Sequence, residues 1–433
     1  MQWSRFNLMF KTEDKTLLLY NFASNSFIQL DEEALEVINQ IKESPHMDVS
    51  SNPNFYLQLR LGGFLVDDGT DEDFVRILKM NRLASNYASN QLSLTIALSK
   101  MCNFDCDYCY EKNRTPPAMS EETADALVRF INKHKHLEKI NVTWYGGEPL
   151  LEFDKLRCLS SKIQALGLAY DAQMITNGYL LTPKIIASLK ELNISHLQIT
   201  IDGIKETHDK RRHLKDGRCT YDKIMENVSN LMASNWHGKL NLRVNVDKRN
   251  SHEFAEVYKR MKELYPEEFG KKINVYPGFV NDGANPKNSD YFDSYDKGQF
   301  LVDLSSRYGA NPLKTFPHLE LGGCMMTRKN AYVVGPEGEL YKCWRNLGNE
   351  NDVIGHVHSL SNWNMSLVAH GMVGASYLED DECEQCLLFP ICDGGCPKMR
   401  MLNKRDNGNR DVCSYFKRHI KQLLEVYYKQ KKS

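Results

Sequence analysis

The sequence predicts an α/β fold: a partial (β/α)6 barrel, with a small α+β module before it and a cysteine-rich segment after it. Three observations carry that expectation. Six apolar, strand-like runs alternate with helical patterns between residues 92 and 277; shorter strands precede them; and cysteines crowd the last quarter of the chain. The expected boundaries are 1–85, 91–310 and 311–433.

In the N-terminal module, residues 6–10, 17–22 and 27–30 read as short strands. Asp31 can cap a helix that carries Ala34, Leu35, Val37 and Ile38. Gly62-Gly63 suggests a turn into another strand at 64–66, a winged-helix-like outline. The polar stretch 81–90 reads as a linker. The barrel runs follow at 92–98, 140–145, 172–176, 196–201, 240–246 and 273–277. Between them, Ser120 with Glu121 and Glu122 opens one helix, and Thr182-Pro183 opens another. Such alternation implies right-handed βαβ units and a parallel sheet. Six repeats are too few to close as an eight-stranded barrel does, so an open sheet is expected, with chemistry at the C-terminal strand ends.

Composition excludes some classes. At 433 residues the chain has room for two to four domains. Lys plus Arg total 55 against 56 Asp plus Glu, so no electrostatic footprint for nucleic acid is expected. No apolar run reaches the roughly 18–20 residues that cross a bilayer, and the first six residues lack the basic flank of a secretory signal. A cytoplasmic location and no membrane partner follow as expectations. In a reducing compartment the twelve cysteines point to metal binding or redox chemistry rather than disulfides. Ten form two groups, at 102–109 and 324–413, while Cys158 and Cys219 stand apart. The spacing suits zinc or iron–sulfur clusters.

The first group, Cys102-Asn103-Phe104-Asp105-Cys106-Asp107-Tyr108-Cys109, follows the first barrel strand. Three thiolates can hold three irons of a cubane and leave the fourth to a small molecule. A structural zinc site usually takes four protein ligands, and no fourth cysteine is near. This C-x3-C-x2-C loop resembles that of the radical S-adenosylmethionine (SAM) superfamily. The resemblance implies a catalytic [4Fe–4S] cluster on Cys102, Cys106 and Cys109, with SAM as cofactor. Trp144-Tyr145-Gly146-Gly147-Glu148-Pro149 is similar to the family's GGEP motif, with glycine backbone at the SAM amino group and Glu148 near its positive charge. Asn177, Thr200 and Asp202, at the ends of the third and fourth strands, resemble positions near the SAM ribose and carboxylate. Arg218 and Arg243 are candidates for a bidentate grip on that carboxylate, or else surface or structural residues. Tyr108 resembles the aromatic that touches adenine; packing is its alternative role.

The second group runs Cys324-x13-Gly338-x4-Cys343, then Cys383-x2-Cys386-x5-Cys392-x3-Cys396, then Cys413. It is similar to the SPASM domain, with zinc as the alternative occupant. The resemblance implies two auxiliary [4Fe–4S] clusters: one on Cys383, Cys386, Cys392 and Cys413, the other on Cys324, Cys343 and Cys396. Sulfatase-maturing members carry one more cysteine where this chain has His318. The second auxiliary cluster is therefore expected to have an open iron or a non-cysteine ligand; His318 itself is a ligand or a structural or surface residue. Three clusters are expected in all.

The N-terminal module resembles the precursor-recognition domains of ribosomal-peptide maturases, which add a leader peptide as a strand to a sheet edge; a scaffold or dimer contact is the alternative. Together the parts imply an enzyme that abstracts hydrogen from a ribosomally made precursor and forms a cysteine thioether. Alternatives are a carbon–carbon or carbon–oxygen crosslink, or anaerobic formylglycine maturation of sulfatases. A non-catalytic iron–sulfur scaffold is the reading from another class. The expected partners are the precursor and an electron donor such as flavodoxin or ferredoxin. Cys158 and Cys219 read as hydrogen donors for an epimerase or, more plainly, as idle thiols.

Overall fold

In the computed structural model, residues 1–43, 52–109, 111, 117–280, 290–309, 317–359 and 361–432 are described, so the boundary expected at 310/311 lies outside the described residues. In chain order the N-terminal elements are β1 (Gln2–Trp3), β2 (Asn7–Lys11), β3 (Leu17–Asn21), β4 (Phe27–Leu30), α1 (Glu32–Glu43), α2 (Pro53–Leu61), β5 (Leu65–Val66) and α3 (Thr70–Tyr87). Then come β6 (Gln91–Ala97), α4 (Glu121–Asn132), β7 (Lys139–Tyr145), α5 (Phe153–Gln164), β8 (Ala169–Thr176), α6 (Pro183–Ser188) and β9 (Ile194–Ile201). They continue with α7 (Lys205–Arg211), α8 (Tyr221–Met232), β10 (Lys239–Val246), α9 (Phe254–Leu264), β11 (Ile273–Phe279) and α10 (Ser294–Tyr308). The remainder holds β12 (Ala331–Val334), β13 (Glu339–Tyr341), β14 (Gly355–His356), α11 (Met365–Ala369), α12 (Asp381–Glu384), α13 (Pro397–Asp406) and α14 (Phe416–Lys432). The chain divides into two units. The first is Met1–Tyr87 with Ser294–Thr327 and Ala375–Ser433; the second is Ala88–Asp293 with Arg328–Gly374.

In the first unit, β2, β3 and β4 form an antiparallel sheet, and β1 pairs with β5. Asp31 caps α1 by accepting the Ala34 N–H at 2.8 Å, the role its side chain predicts. Leu19, Leu30, Ile38, Ile41, Leu59 and Phe64 make the core. Each fully buried side chain of this size stabilises the fold by about 1.5–3 kcal/mol. The linker expected at 81–90 begins late, because α3 continues to Tyr87. Its polar residues are the helix's solvent face, while Leu78 and Arg82 turn inward.

In the second unit, six parallel strands stand in the order β11-β10-β9-β8-β7-β6, the open arrangement expected from six repeats. Ser120 and Thr182 cap α4 and α6 as their side chains predict. Successive strands pair in register, as in Ile96 with Trp144 and Arg243 with Thr200. One set of alternate residues, such as Leu94, Ile96, Val142, Trp144, Leu197 and Ile199, is buried. The other carries Gln198, Thr200, Arg243 and Asn245 into a cavity. The sequence reading missed one feature: β12 joins β6 in parallel, and β13 and β14 extend that edge antiparallel. Strands this short carry too little periodicity to be read.

Candidate functional site

The loop after β6 owes its shape to close backbone packing. Gly146 has φ +115°, and a Cβ there would meet the Ser99 carbonyl oxygen at 2.5 Å. A Cβ on Gly147 would meet the Met101 carbonyl oxygen at 2.1 Å. Only two glycines let the end of β7 approach the cysteine loop this closely. The Glu148 N–H donates to the Met101 carbonyl at 2.9 Å. On its other side the loop pairs with residues 213–215: Asp105 N–H donates to His213 O (3.0 Å) and Lys215 N–H to Asn103 O (3.1 Å). Phe104, fully buried, bridges to Leu214.

Cys102, Cys106 and Cys109 line one cavity of about 470 Å³, inside the usual range for small-molecule sites, about 300–1,000 Å³. The Phe104 N–H lies 3.4 Å from the Cys102 sulfur, and Asn177 Nδ2 lies 3.9 Å from it. Gly146, Gly147, Tyr108, Asn177, Thr200 and Arg243 line the same space. Three thiols on one loop, open to a cavity with amide, hydroxyl and guanidinium groups, fit a cluster with one iron left for SAM.

Glu148 does not line that space. Its buried carboxylate accepts from Leu150 N (3.0 Å), Thr176 Oγ1 (2.7 Å) and Asn177 N (2.8 Å). Burial raises its pKa above the ordinary carboxylate value, although these donors pull it down. Glu148 is thus placed as a brace joining the end of β7 to the end of β8. Pro149, buried, opens the short 3-10 turn behind it. Asp202 is also buried behind the wall, accepting from Tyr108 OH at 2.7 Å and from Arg211 Nε at 2.8 Å.

Arg218 is not brought to the cavity. It is exposed and pairs with Asp216 at 2.8 Å, because the chain turns back at Gly217 and aims the side chain outward. Arg212, which the sequence reading passed over, lines the cavity instead. It donates to Tyr108 OH at 2.9 Å, and Asn245 Nδ2 donates to the same oxygen at 3.0 Å. Tyr108 is therefore a held neutral phenol, its pKa driven far up by burial. Arg243 lies over Gly278, where a Cβ would meet its Nε at 2.0 Å, and donates to Asn245 at 2.8 Å. The available signal for Arg212 was its place after a helix that starts just beyond Asp202.

His208 supports this wall from behind. It accepts the Asp202 N–H at Nδ1 (3.2 Å), and its Nε2 lies 3.0 Å from Thr220 Oγ1. Thr220 gives its own proton to the Arg212 carbonyl, so Nε2 carries the hydrogen and the ring is neutral. Burial, then the Arg212 charge, push its pKa well below 6.5. The unfolded chain takes up a proton near that value while the folded one does not, so stability is full above it and declines as pH falls. Thermal midpoints are expected to drop between about pH 7.5 and about pH 5.5, less steeply in His208→Gln. Equal slopes for the two proteins would contradict this assignment.

In the first unit, Cys383, Cys386, Cys392 and Cys413 are gathered by their own turns. Asp380 caps α12 at the Cys383 N–H (3.1 Å), and the Cys386 N–H returns to the Cys383 carbonyl (3.1 Å). Gly394 and Gly395 have positive φ; a Cβ on Gly395 would strike the Val412 carbonyl oxygen at 1.9 Å, so the glycine lets the segment before Cys413 close on this loop. Cys383 and Cys386 stand close enough to Cys392, and Cys413 to Cys383, for their electrostatics to couple. Burial pushes the Cys392 thiol up to about 11, so ligation at neutral pH releases its proton. Gly394 N–H reaches the Cys392 sulfur at 3.3 Å and Arg400 reaches the Cys383 sulfur at 3.0 Å. Four thiols, two of them with N–H donors on their sulfurs, fit a fully ligated cluster.

Cys396 precedes α13, which packs on the turn Met325–Thr327 that follows Cys324. Cys343, in the second unit, lines the cavity of Cys102, Cys106 and Cys109, next to Trp344, which packs edge-on against Tyr145 at 5.5 Å. His318 is exposed and 3.7 Å from Glu320. Cys158 and Cys219 are exposed. Among the described residues, no three His, Cys, Asp or Glu side chains converge on a position for one metal ion, and no helix is long and apolar enough to cross a membrane.

Residues 96–261 match the family model of the Radical SAM superfamily. The radical SAM cyclopropyl synthase TigE of Paramaledivibacter caminithermalis is 22% identical over 98% of this chain and 95% of its own length. A cysteine-type anaerobic sulfatase-maturating enzyme of Clostridium perfringens is 27% identical over 78% of this chain and 96% of its own. Among solved structures, Streptococcus suis SuiB bound to precursor peptide SuiA superposes with a TM-score of 0.52 at 15% identity, over 95% of this chain and 99% of that one. Native anSMEcpe with bound AdoMet and Cp18Cys peptide superposes with a TM-score of 0.59 at 22% identity, over 78% and 98%.

Proposed function

We propose that this protein, a radical SAM enzyme by the domain at residues 96–261, is a maturase that crosslinks a ribosomally made precursor peptide, forming a thioether at a precursor cysteine. The observation that carries this reading is Cys343, a member of the second cysteine group on the wall of the cavity formed by the first. Whole-length similarity to a cyclopropyl synthase and a fold shared with SuiB, solved with its precursor, support a peptide as substrate.

When bound, a reduced cluster and SAM would supply the one-electron chemistry that takes a hydrogen atom from an unactivated C–H bond. The protein's own groups then hold and shield. Arg212 or Arg243 would grip the SAM carboxylate, Asn177 and Thr200 its polar body, and the Gly146–Gly147 backbone its amino group. Tyr108, held at its hydroxyl, would present its ring. C–S bond formation removes the peptide thiol's proton and leaves one electron over; an auxiliary cluster that Cys343 would help to hold would supply the acceptor for it. The peptide therefore loses two hydrogens overall. Flavodoxin or ferredoxin would supply the first electron, in the cytoplasm.

The decisive experiment is mass spectrometry of the precursor after anaerobic reaction with SAM. A product lighter by two hydrogens, with a cysteine no longer open to alkylation, is expected. An unchanged mass with solvent hydrogen incorporated would mean epimerisation and overturn the crosslink. The same mass loss with the thiol still alkylatable would favour a carbon–carbon bond, the second reading, which the cyclopropyl synthase supports. In sulfatase maturation the product would instead carry an aldehyde.

The proposed division of labour is precursor recognition by residues 1–85, radical chemistry in 91–310 and auxiliary clusters in 311–433. The Asn21 N–H donates to the Ser26 carbonyl at 3.0 Å. By antiparallel alternation the Phe27 and Gln29 N–H groups then point away from β3, to the side of β4 that pairs with no strand among the described residues, while α14 meets β4 through Tyr428 OH, which donates to Gln29 Oε1 at 2.6 Å. Proline is tolerated where an N–H faces outward, so Gln29→Pro should fold. It is expected to weaken precursor binding at least about tenfold, one lost strand contact's worth, while leaving SAM cleavage without precursor unchanged. Unchanged precursor affinity would make the module a scaffold.

A further inference from the structure

The cysteine spacing says nothing of what surrounds the four-thiol site of the first unit, and two arginines close on it there. Arg400 reaches three points with one planar fork. Its Nη2 donates to the Cys383 sulfur at 3.0 Å, its Nη1 to Asp380 Oδ2 at 2.9 Å, and its Nε to the Gly394 carbonyl at 2.6 Å. It thereby ties one ligand sulfur to the cap of α12 and to the loop that carries Cys392 and Cys396. Arg82, 1% exposed, comes from α3. It donates to the carbonyls of Phe389 (2.8 Å) and Pro390 (3.1 Å), in the turn between Cys386 and Cys392, and to Glu320 O (2.7 Å). Its guanidinium also lies over the Phe389 ring, 4.7 Å from the centroid. Lys417 Nζ stands 4.0 Å from the Cys413 sulfur.

A cluster on four thiolates is anionic, and reduction adds one more negative charge. Hydrogen bonds to ligand sulfurs and nearby cations with limited solvent favour the more negative state, so they raise the reduction potential. A charged N–H···S bond is the stronger kind. We propose that Arg400 is a positioning residue that sets the reduction potential of a [4Fe–4S] cluster on Cys383, Cys386, Cys392 and Cys413, biasing it toward its reduced form. Arg82 holds the turn between Cys386 and Cys392. The inference rests on the assignment of these four cysteines to one cluster, and goes beyond it by naming what tunes that cluster.

The experiment is an EPR-monitored redox titration of the full-length, reconstituted protein, in a background where Cys102, Cys106 and Cys109 are Ala. Arg400→Gln removes the charge and should cut the reduced-to-oxidised ratio of one auxiliary cluster about tenfold at a given potential. For a one-electron couple that is a midpoint about 59 mV more negative. Asp380→Asn keeps the helix cap but removes the anion that offsets Arg400, and should move the same midpoint upward. Arg400→Lys keeps the charge without the fork and should fall between Arg400→Gln and the parent. If iron content holds and neither Arg400→Gln nor Asp380→Asn moves a midpoint, the role given to Arg400 is wrong. Should Arg400→Gln not fold, an unmoved midpoint in Asp380→Asn and Arg400→Lys overturns it equally. Unchanged iron in a Cys383→Ala, Cys386→Ala double variant would instead overturn the four-cysteine assignment.

Discussion

Replacing Cys102, Cys106 and Cys109 together by Ala is expected to abolish SAM cleavage while iron stays bound to the later cysteines. The three thiols sit on one loop, anchored by backbone hydrogen bonds from Gly147 and Glu148 to the Ser99 and Met101 carbonyls before it and by bonds between residues 103–105 and 213–215, none of which the substitutions touch. The four-thiol site belongs to a separate unit with its own turns and caps. Iron should therefore fall by about four per chain, the content of one cubane, with the rest retained. Formation of 5′-deoxyadenosine under reduction is the direct readout. Cleavage by the triple variant at the wild-type rate would remove the radical mechanism itself. Loss of all iron would mean that the two cysteine groups do not load independently.

The second large effect is expected at Glu148, although it does not line the cavity. Glu148→Ala would leave two backbone N–H groups and the Thr176 hydroxyl without their acceptor in a buried setting. Each such orphan costs about 1–3 kcal/mol, for a total of about 3–9 kcal/mol. The loss is transmitted to the site, because the Asn177 backbone N–H is one of those donors. The Asn177 side chain donates to Asn103, beside Cys102, at 2.8 Å. SAM affinity should thus fall along with stability. Glu148→Gln keeps one good acceptor and turns an amide N–H toward a donor, so a smaller loss of about 1–3 kcal/mol is expected. Denaturant titration separates the two variants. If Glu148→Ala unfolds at the wild-type concentration, the brace has no structural weight. A fall in SAM affinity without any fall in stability would point to a direct contact with the ligand.

Most of the site's backbone was legible in the sequence, and most of its side-chain roles were not. The six barrel strands, the caps at Asp31, Ser120 and Thr182, and the placing of Cys102–Cys109 after the first strand all depend on residues near one another in the chain. Periodicity and capping report such local preferences well. The stretch 81–90 misled because its polarity resembles a linker, whereas buried Leu78 and Arg82 make it the end of α3.

What the sequence by itself determined is the chemistry available: two sets of thiols at cluster spacing, two glycines where a strand end must meet a loop, and an open parallel sheet to carry them. Tertiary structure alone decided which groups meet that chemistry. Arg212 rather than Arg218 faces the cavity, because the pairing of residues 213–215 with 103–105 sets how the chain leaves α7. Glu148 turns away from the cavity because three donors from two strand ends converge behind it. Arg82 stands some three hundred residues from the turn it holds, and Cys343 reaches the first cavity only because β12 adds to the edge of β6. Spacing along the chain encodes what a loop can bind, but contacts between distant segments are set by sheet register and packing, which no local pattern records.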